Sequence, residues 1–133
     1  MAGGSQDTAG GGAYRMPAEW SSHQATWISW PHNADTWPGH LPGVERTMAE
    51  AVGALASSEL VRINVRDAAH GYHVQKLLAG RVPPERVLLH QFPTNDAWCR
   101  DHGAIFVTRS ATEGAPLLAL DFEYNAWGGK YPP

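Results

Sequence analysis

The segment richest in side chains that can do chemistry is Thr94–Gly103, which reads Thr-Asn-Asp-Ala-Trp-Cys-Arg-Asp-His-Gly. It holds two carboxylates, Asp96 and Asp101, and a carboxylate offers two acceptors that match two N–H groups of a planar guanidinium. Trp98 adds an aromatic wall for such a cation. In an extended chain Asp96, Trp98 and Arg100 share one side and Asp101 faces the other. The residues equally fit a structural alternative, in which Arg100 pairs with one of these carboxylates and pins the loop.

The same segment contains the single cysteine, Cys99, with His102 three residues further on. Catalytic Cys/His pairs are brought together by the fold rather than by sequence adjacency, so we predict that Cys99 is a small buried hydrophobic residue. The seven histidines are scattered, and only His70 and His73 have a local ligand spacing. Because both also fit the solvent face of a helix, no metal site is predicted.

A second candidate segment is Asn125–Lys130, which reads Asn-Ala-Trp-Gly-Gly-Lys. Paired glycines let a backbone approach a ligand closely or adopt positive φ. The segment lacks the strand–glycine–helix context of a phosphate loop, so nucleotide binding is not predicted. Of the six tryptophans, Trp98 and Trp127 lie beside polar and glycine residues and are the two assigned to a site.

The elements that must position these segments alternate between strand and helix patterns. The helix at 44–56 is predicted to turn Val44, Val52 and neighbouring apolar residues inward, with Glu45 and Glu50 on its outer side. Asp67 is predicted to cap the second helix, which Gly80 ends. This order predicts an α/β protein, in which loops at strand ends are favoured ligand sites. The predicted strands are 25–30, 60–66, 86–92, 105–108 and 117–122, and the helices are 44–56 and 67–79.

The bulk properties exclude several classes of function. Ten Lys and Arg stand against 13 Asp and Glu, and this slight negative charge argues against an electrostatic nucleic-acid binder, which would need a basic face. No apolar stretch is long enough to cross a bilayer. Residues 1–14 are predicted to be a flexible tail rather than a signal peptide. With one cysteine in a reducing compartment, the expectation is a cytoplasmic protein with no membrane partner.

Several motifs in order give the sequence a family resemblance. The runs at 16–20, 26–33 and 36–39 resemble the opening of agmatine deiminases and bacterial-type peptidylarginine deiminases. Residues 94–101 resemble their Thr-Asn-Asp-x-Trp-x-Arg-Asp signature, and residues 121–131 resemble the agmatine-deiminase Asp-Phe-x-x-Asn-Ala-Trp-Gly-Gly-Lys-Tyr segment. The resemblance covers about residues 15–133.

The resemblance implies a hydrolase without cofactor or metal, acting on a small cationic guanidinium substrate. Agmatine and water give N-carbamoylputrescine and ammonia through an amidino-cysteine intermediate, a step toward putrescine. It also implies a five-bladed α/β-propeller (pentein-like) fold built of ββαβ units, of which this chain is a part. Carried over residue by residue, Asp101 is the catalytic carboxylate that grips the substrate and Trp98 lines its pocket. Asp96 is assigned to substrate binding as the weaker second carboxylate, with orientation of the loop as its other role, while Trp127 and Gly128 bind near the alkylamine end.

The departures from the family pattern are as important as the matches. The family's nucleophilic cysteine lies in a Gly-rich motif near the C-terminus and its His-x-Asp motif lies mid-chain, and neither is present. Cys99 occupies a variable position, so it does not replace the nucleophile. We therefore expect residues 15–133 to be the N-terminal part of a catalytic domain, truncated and inactive alone. A peptidylarginine deiminase and a non-catalytic module that binds a guanidinium or a partner are the alternatives, and a homo-oligomer of the full-length form stays open.

Overall fold

A computed structural model of the chain describes residues 14–109 and 116–131. The predicted tail, apart from Tyr14, lies outside the described residues. So does the segment 112–114, which reads Thr-Glu-Gly and is predicted to form a polar turn between the strands at 105–108 and 117–122. The chain divides into two compact units. The first contains residues 1–21 and 103–122, and the second contains residues 22–102 and 123–133.

The secondary structure confirms the predicted alternation of strands and helices. Short helical turns at Pro84–Arg86 and Cys99–His102, the latter named α3, were not predicted. The main elements in chain order are β1 (Ala25–Ser29), α1 (Leu41–Ala56), β2 (Leu60–Val65), α2 (Ala68–Leu78), β3 (Val87–Gln91), β4 (Ile105–Thr108) and β5 (Leu117–Leu120).

The second unit is built on a parallel sheet with strand order β1-β2-β3. The central strand β2 alternates as predicted, and its buried side chains Val61, Ile63 and Val65 face the helices. Val52 of α1 and Val74 of α2 join them in one hydrophobic core. Since parallel strands end at the same edge of a sheet, the loops after β1, β2 and β3 emerge side by side.

The opposite face of this sheet has no such cover from α1 and α2. Register pairs Trp27 with Arg62 and Arg62 with Leu88, so these three side chains share that face. The Arg62 guanidinium carbon lies 5.3 Å from the Trp27 ring centroid. Trp27 and Leu88 stay partly exposed.

Helix α1 buries Val52 as predicted, but Val44 is only half-buried, and the buried face consists of Glu45, Ala49, Val52 and Ala56. It begins at Leu41, earlier than predicted, with Pro42 in the first turn, where a missing N–H costs no helical bond. Glu45 was expected on the outer side and is instead buried. Its Oε1 accepts hydrogen bonds from Trp30 Nε1 at 2.9 Å and pairs with His73 Nε2 at 2.8 Å. The carboxylate is buried because it satisfies the indole N–H of a fully buried tryptophan.

Helix α2 begins as predicted, with the Asp67 side chain accepting from His70 N at 2.8 Å, and Gly80 takes φ +72 just beyond its end. The predicted solvent-facing position of His70 is wrong, because this residue is only 8% exposed. Its Nδ1 accepts from the backbone N–H of Arg66 at 3.0 Å. Its ring lies 5.4 Å from that of His32, in the loop after β1. His73 is the member of the pair that lies on the exposed side.

The first unit contains a β-hairpin of β4 and β5. The strands pair antiparallel from Ile105–Leu120 to Thr108–Leu117. Arg15 joins the end of β4 through two backbone hydrogen bonds to Thr108, both 2.9 Å.

No helix within the described residues is long and apolar enough to cross a membrane.

Candidate functional site

All five predicted site residues lie in the second unit, in two segments of its chain. Asp96, Trp98 and Asp101 follow β3, at the edge where the parallel strands end. Trp127 and Gly128 lie in the segment 123–131. Each segment has a defined local geometry that determines which of its groups are free to meet a ligand.

Asp96 is buried, with 8% of its surface exposed, and both of its carboxylate oxygens accept hydrogen bonds. Oδ1 accepts from the backbone N–H of Ala97 at 2.7 Å, and Oδ2 accepts from the Thr36 hydroxyl. A carboxylate held in this way fixes the shape of its own loop. This geometry fits orientation of the loop by Asp96 better than the predicted direct contact with a substrate.

The predicted extended alternation through this loop is wrong from Cys99 onward, because the chain turns into helix α3. The N–H of Asp101 bonds to the carbonyl of Trp98 at 3.1 Å, which folds the two residues toward each other along the chain. Asp101 is exposed. Its carboxylate is therefore available to a cation in a way that the Asp96 carboxylate is not.

Cys99 and His102 make separate contacts. The Cys99 thiol, half-buried, points at the carbonyl oxygen of Trp27 in β1, with Sγ 3.8 Å away. The His102 ring contacts Tyr124, with 5.8 Å between centroids. The thiol is therefore less buried than predicted, and its hydrogen-bond contact is with a backbone carbonyl and not with His102.

Trp98 is 39% exposed, and one part of its surface is covered by another tryptophan. The Trp37 ring, from the loop after β1, stacks on it with 5.9 Å between centroids and 28° between planes. A stacked indole with an open remainder is a suitable wall for a planar cation.

The Asn125–Lys130 segment forms a left-handed helical turn. Ala126, Trp127 and Gly128 have φ of 51, 54 and 80°, and Gly129 follows at 75°. The turn is closed by the bond from Gly129 N to the Asn125 carbonyl at 2.7 Å, and the Asn125 side chain accepts from Gly128 N at 2.9 Å. Left-handed geometry costs an L-residue about 1–2 kcal/mol, so two consecutive non-glycine residues here store strain. Such strain is concentrated at functional sites.

Tyr124 connects the two segments. Its ring lies 5.8 Å from His102 and 5.5 Å, edge-on, from Trp127. Partial desolvation, the Asp101 carboxylate and the Tyr131 phenol together raise the pKa of Tyr124 above its ordinary value of 10.0. The structure therefore brings both Asp101 and Trp127 near one phenol, although they are 26 positions apart in sequence.

Sequence reasoning assigned no role to Thr36, Trp37 or Tyr124. All three lie within the family motifs at 36–39 and 121–131. This membership was the one feature of the sequence that could have identified them. As for metals, the described part of the chain contains no group of three or more His, Cys, Asp or Glu side chains that could hold an ion.

Comparison with known proteins identifies the family that this chain resembles. Residues 15–133 match the family model of the Porphyromonas-type peptidyl-arginine deiminases. A putative agmatine deiminase of Pectobacterium atrosepticum is 33% identical over 117 residues, which cover 88% of this chain and 29% of that protein. The agmatine deiminase of Stutzerimonas stutzeri is 32% identical, over 88% of this chain and 30% of that protein. The chain thus spans less than a third of the length of these curated relatives.

Solved structures show the same fold relationship. A variant of the C. jejuni agmatine deiminase with substrate bound superimposes with a TM-score of 0.71 and 26% identity, over 90% of this chain and 33% of that one. The agmatine deiminase of Enterococcus faecalis gives a TM-score of 0.69 and 28% identity, over 87% of this chain and 29% of that one. The described α/β unit with its parallel βαβ sheet is accordingly similar to part of an agmatine deiminase. The chain belongs to the family of Porphyromonas-type peptidyl-arginine deiminases and agmatine deiminases, of which it matches roughly the N-terminal third.

Proposed function

We propose that this chain supplies the guanidinium-binding part of an agmatine deiminase. Asp101 accepts hydrogen bonds from the guanidinium, the Trp98 face packs against its plane, and the Trp127–Gly128 turn meets the alkylamine end. The single observation that carries the proposal is the meeting of the two motif segments at Tyr124, whose ring contacts His102 of one segment and Trp127 of the other and whose pKa is raised by the nearby Asp101 carboxylate. The substrate bound to the C. jejuni relative supports the same ligand class.

The chemistry that such binding serves is hydrolysis of the guanidinium. A thiolate adds to the guanidinium carbon, a C–N bond breaks and ammonia leaves, and water then cleaves the C–S bond to give N-carbamoylputrescine. The Asp101 carboxylate would hold the cationic carbon in place and offset its charge. Cys99 is the only cysteine of the sequence, and its thiol points at the Trp27 carbonyl oxygen 3.8 Å away, so we expect the chain to bind the guanidinium without the covalent step.

Two alternatives remain distinct in what they bind. A peptidylarginine deiminase would accept arginine within a peptide, and a non-catalytic module would bind a guanidinium or a partner without any turnover. The agmatine-type Asn125–Gly129 sequence favours a free small amine, because a peptide-directed enzyme is expected to place arginines there for a substrate carboxylate. For the whole enzyme, the resemblance implies a propeller built of five ββαβ units.

A titration followed by NMR tests the proposal. The six tryptophans give six indole N–H signals, which single Trp→Phe variants assign. Agmatine added up to about 10 mM, enough to saturate a site of about 1 mM affinity, should move the Trp98 and Trp127 signals. Putrescine, which has the same amine chain without the guanidinium, should leave the Trp98 signal in place. A Trp98 shift as large with putrescine as with agmatine, or a stronger response to an arginine peptide, would refute agmatine as the ligand.

A further inference from the structure

Two adjacent residues of the loop after β1 contact Asp96 and Trp98 of the loop after β3. The Thr36 hydroxyl donates to Asp96 Oδ2, and the Trp37 ring stacks on the Trp98 ring at 5.9 Å. The contacts join residues 60 or 61 positions apart, so they are made by the fold and not by local sequence.

We propose that Thr36 and Trp37 are positioning residues for the guanidinium site. Trp37 holds the Trp98 ring in the orientation that receives the cation, and Thr36 holds the turn at Asp96 from which that ring projects. The choice of ligand rests on the function proposed above, whereas the positioning itself can be tested without any ligand.

The backbone of Trp37 is tied to the rigid scaffold. Its carbonyl accepts from His40 N at 3.0 Å and from Leu41 N at 3.2 Å, where helix α1 begins. Helix α1 in turn packs through its core face on the central strand. The stacking surface offered to Trp98 is therefore fixed by a helix terminus and not by a free loop.

A fixed Trp98 matters because 39% of its surface is exposed. Such a side chain would lose rotamer freedom on meeting a ligand, and a partner that orders it beforehand removes this cost from binding. Aromatic pairs stabilise one another beyond the area they bury. Loss of the pair should weaken binding of a planar cation by roughly 3- to 10-fold.

Thr36 acts on the same loop through Asp96. The Asp96 carboxylate is buried and takes its second bond from the adjacent Ala97 N–H at 2.7 Å. Without the Thr36 hydroxyl, one carboxylate oxygen would lose its partner inside the protein. The turn preceding Trp98 would then rearrange to regain one.

The structure provides conservative variants that separate positioning from general packing. Trp37 Nε1 is buried and has no hydrogen-bond partner among the described residues, so Trp37→Phe keeps an aromatic face and removes an unsatisfied donor. Thr36→Ser keeps the hydroxyl, whereas Thr36→Val keeps the shape without it. Trp20, which is 90% exposed in the first unit, provides a control tryptophan for removal.

The ligand experiment compares agmatine affinity by the indole signals of the whole chain. Trp37→Ala and Thr36→Val should each raise the dissociation constant roughly 3- to 10-fold, and Trp37→Phe, Thr36→Ser and Trp20→Ala should stay within about twofold. Wild-type affinity in Trp37→Ala would overturn the proposal. If Trp37→Ala does not fold, the Thr36→Val and Thr36→Ser pair decides, and equal affinities there would overturn it.

A ligand-free measurement distinguishes this inference from the proposed function. Because the two ring centroids lie 5.9 Å apart, we expect the ring current of Trp37 to shift the Trp98 indole N–H signal in the unliganded chain. That signal should move in Trp37→Ala and stay near its place in Trp37→Phe and Trp20→Ala. If agmatine does not bind the wild type, the proposed function fails, yet this pattern would still support the positioning role. An unmoved Trp98 signal in a folded Trp37→Ala chain would refute the positioning role whatever agmatine does.

Discussion

Replacing Glu45 by alanine should destabilise the second unit more than replacing an exposed glutamate would. Glu45 Oε1 is the acceptor for the Trp30 indole N–H at 2.9 Å, and Trp30 is 0% exposed. The variant leaves a buried donor with no partner. A hydrogen bond to a charged group contributes about 1.5–3 kcal/mol, and an unsatisfied buried donor costs a similar amount, so we expect a loss of about 2–3 kcal/mol in free energy of unfolding.

The neighbouring residues supply the controls. Glu45→Gln keeps the oxygen that accepts both bonds and loses only the charge, so it should cost about 1 kcal/mol. His73→Ala removes the second partner of that oxygen, but the His73 side chain is 51% exposed, and the loss should stay within about 1 kcal/mol. In a Trp30→Phe background the indole N–H is absent, so Glu45→Ala should cost less than in the wild type.

Urea unfolding, followed by far-UV circular dichroism, measures these differences. With a slope of about 1.5 kcal/mol per molar, typical of a small protein, Glu45→Ala should lower the midpoint by about 1–2 M. A Glu45→Ala midpoint equal to that of wild type would refute the burial argument. A His73→Ala loss as large as that of Glu45→Ala would show instead that the ion pair, and not the indole bond, holds the carboxylate.

Three further outcomes are expected. Burial, followed by the charges of His32 and Arg66, lowers the pKa of His70 below its ordinary value of 6.5. On acidification the unfolded chain therefore binds a proton at His70 before the folded chain does, and the free energy of unfolding should fall as the pH drops below 6.5. Urea midpoints across pH 5–8 check this fall, which His70→Asn should flatten; a midpoint that rises on acidification would contradict it. Gly128→Ala, at φ +80 with open space around the new methyl, should lower the free energy of unfolding by about 1–2 kcal/mol because of backbone strain. Gly53→Ala, in helix α1 and equally unobstructed, should instead raise it by about 0.5–1 kcal/mol. Changes of the same sign in both variants, measured by urea unfolding, would refute the strain argument. The purified 133-residue chain should release no ammonia from agmatine in a coupled assay, and turnover would show that another group replaces the nucleophile.

The scaffold could be predicted from sequence because its signals are local. The alternation in β2 and the Asp67 cap of α2 are properties of neighbouring residues, and both are confirmed. Glu45 and His70 were misplaced because their positions depend on partners in other elements. A charged residue on a helix is placed outside by periodicity alone, and only the fold shows that a buried indole N–H needs its carboxylate.

The site divides in the same way. The motifs identified Asp96, Trp98 and Asp101, yet spacing could not tell which carboxylate is free. That difference comes from the Thr36 hydroxyl, 60 positions away, which binds Asp96, and from helix α3, which leaves Asp101 exposed. The direct roles of these side chains in binding stay predictions.

The most direct measurement of the central claim is the agmatine titration of Asp101→Asn beside the wild type, with Glu50→Gln as the control for loss of one exposed carboxylate. Asparagine keeps the size of the side chain and loses the charge that matches a guanidinium. Because Asp101 is exposed and water weakens the pair, the dissociation constant read from the Trp98 indole signal should rise by roughly 5- to 10-fold, while Glu50→Gln should leave it unchanged. Agmatine binding that is equally strong in Asp101→Asn and wild type would contradict the assignment of Asp101 as the guanidinium-binding carboxylate.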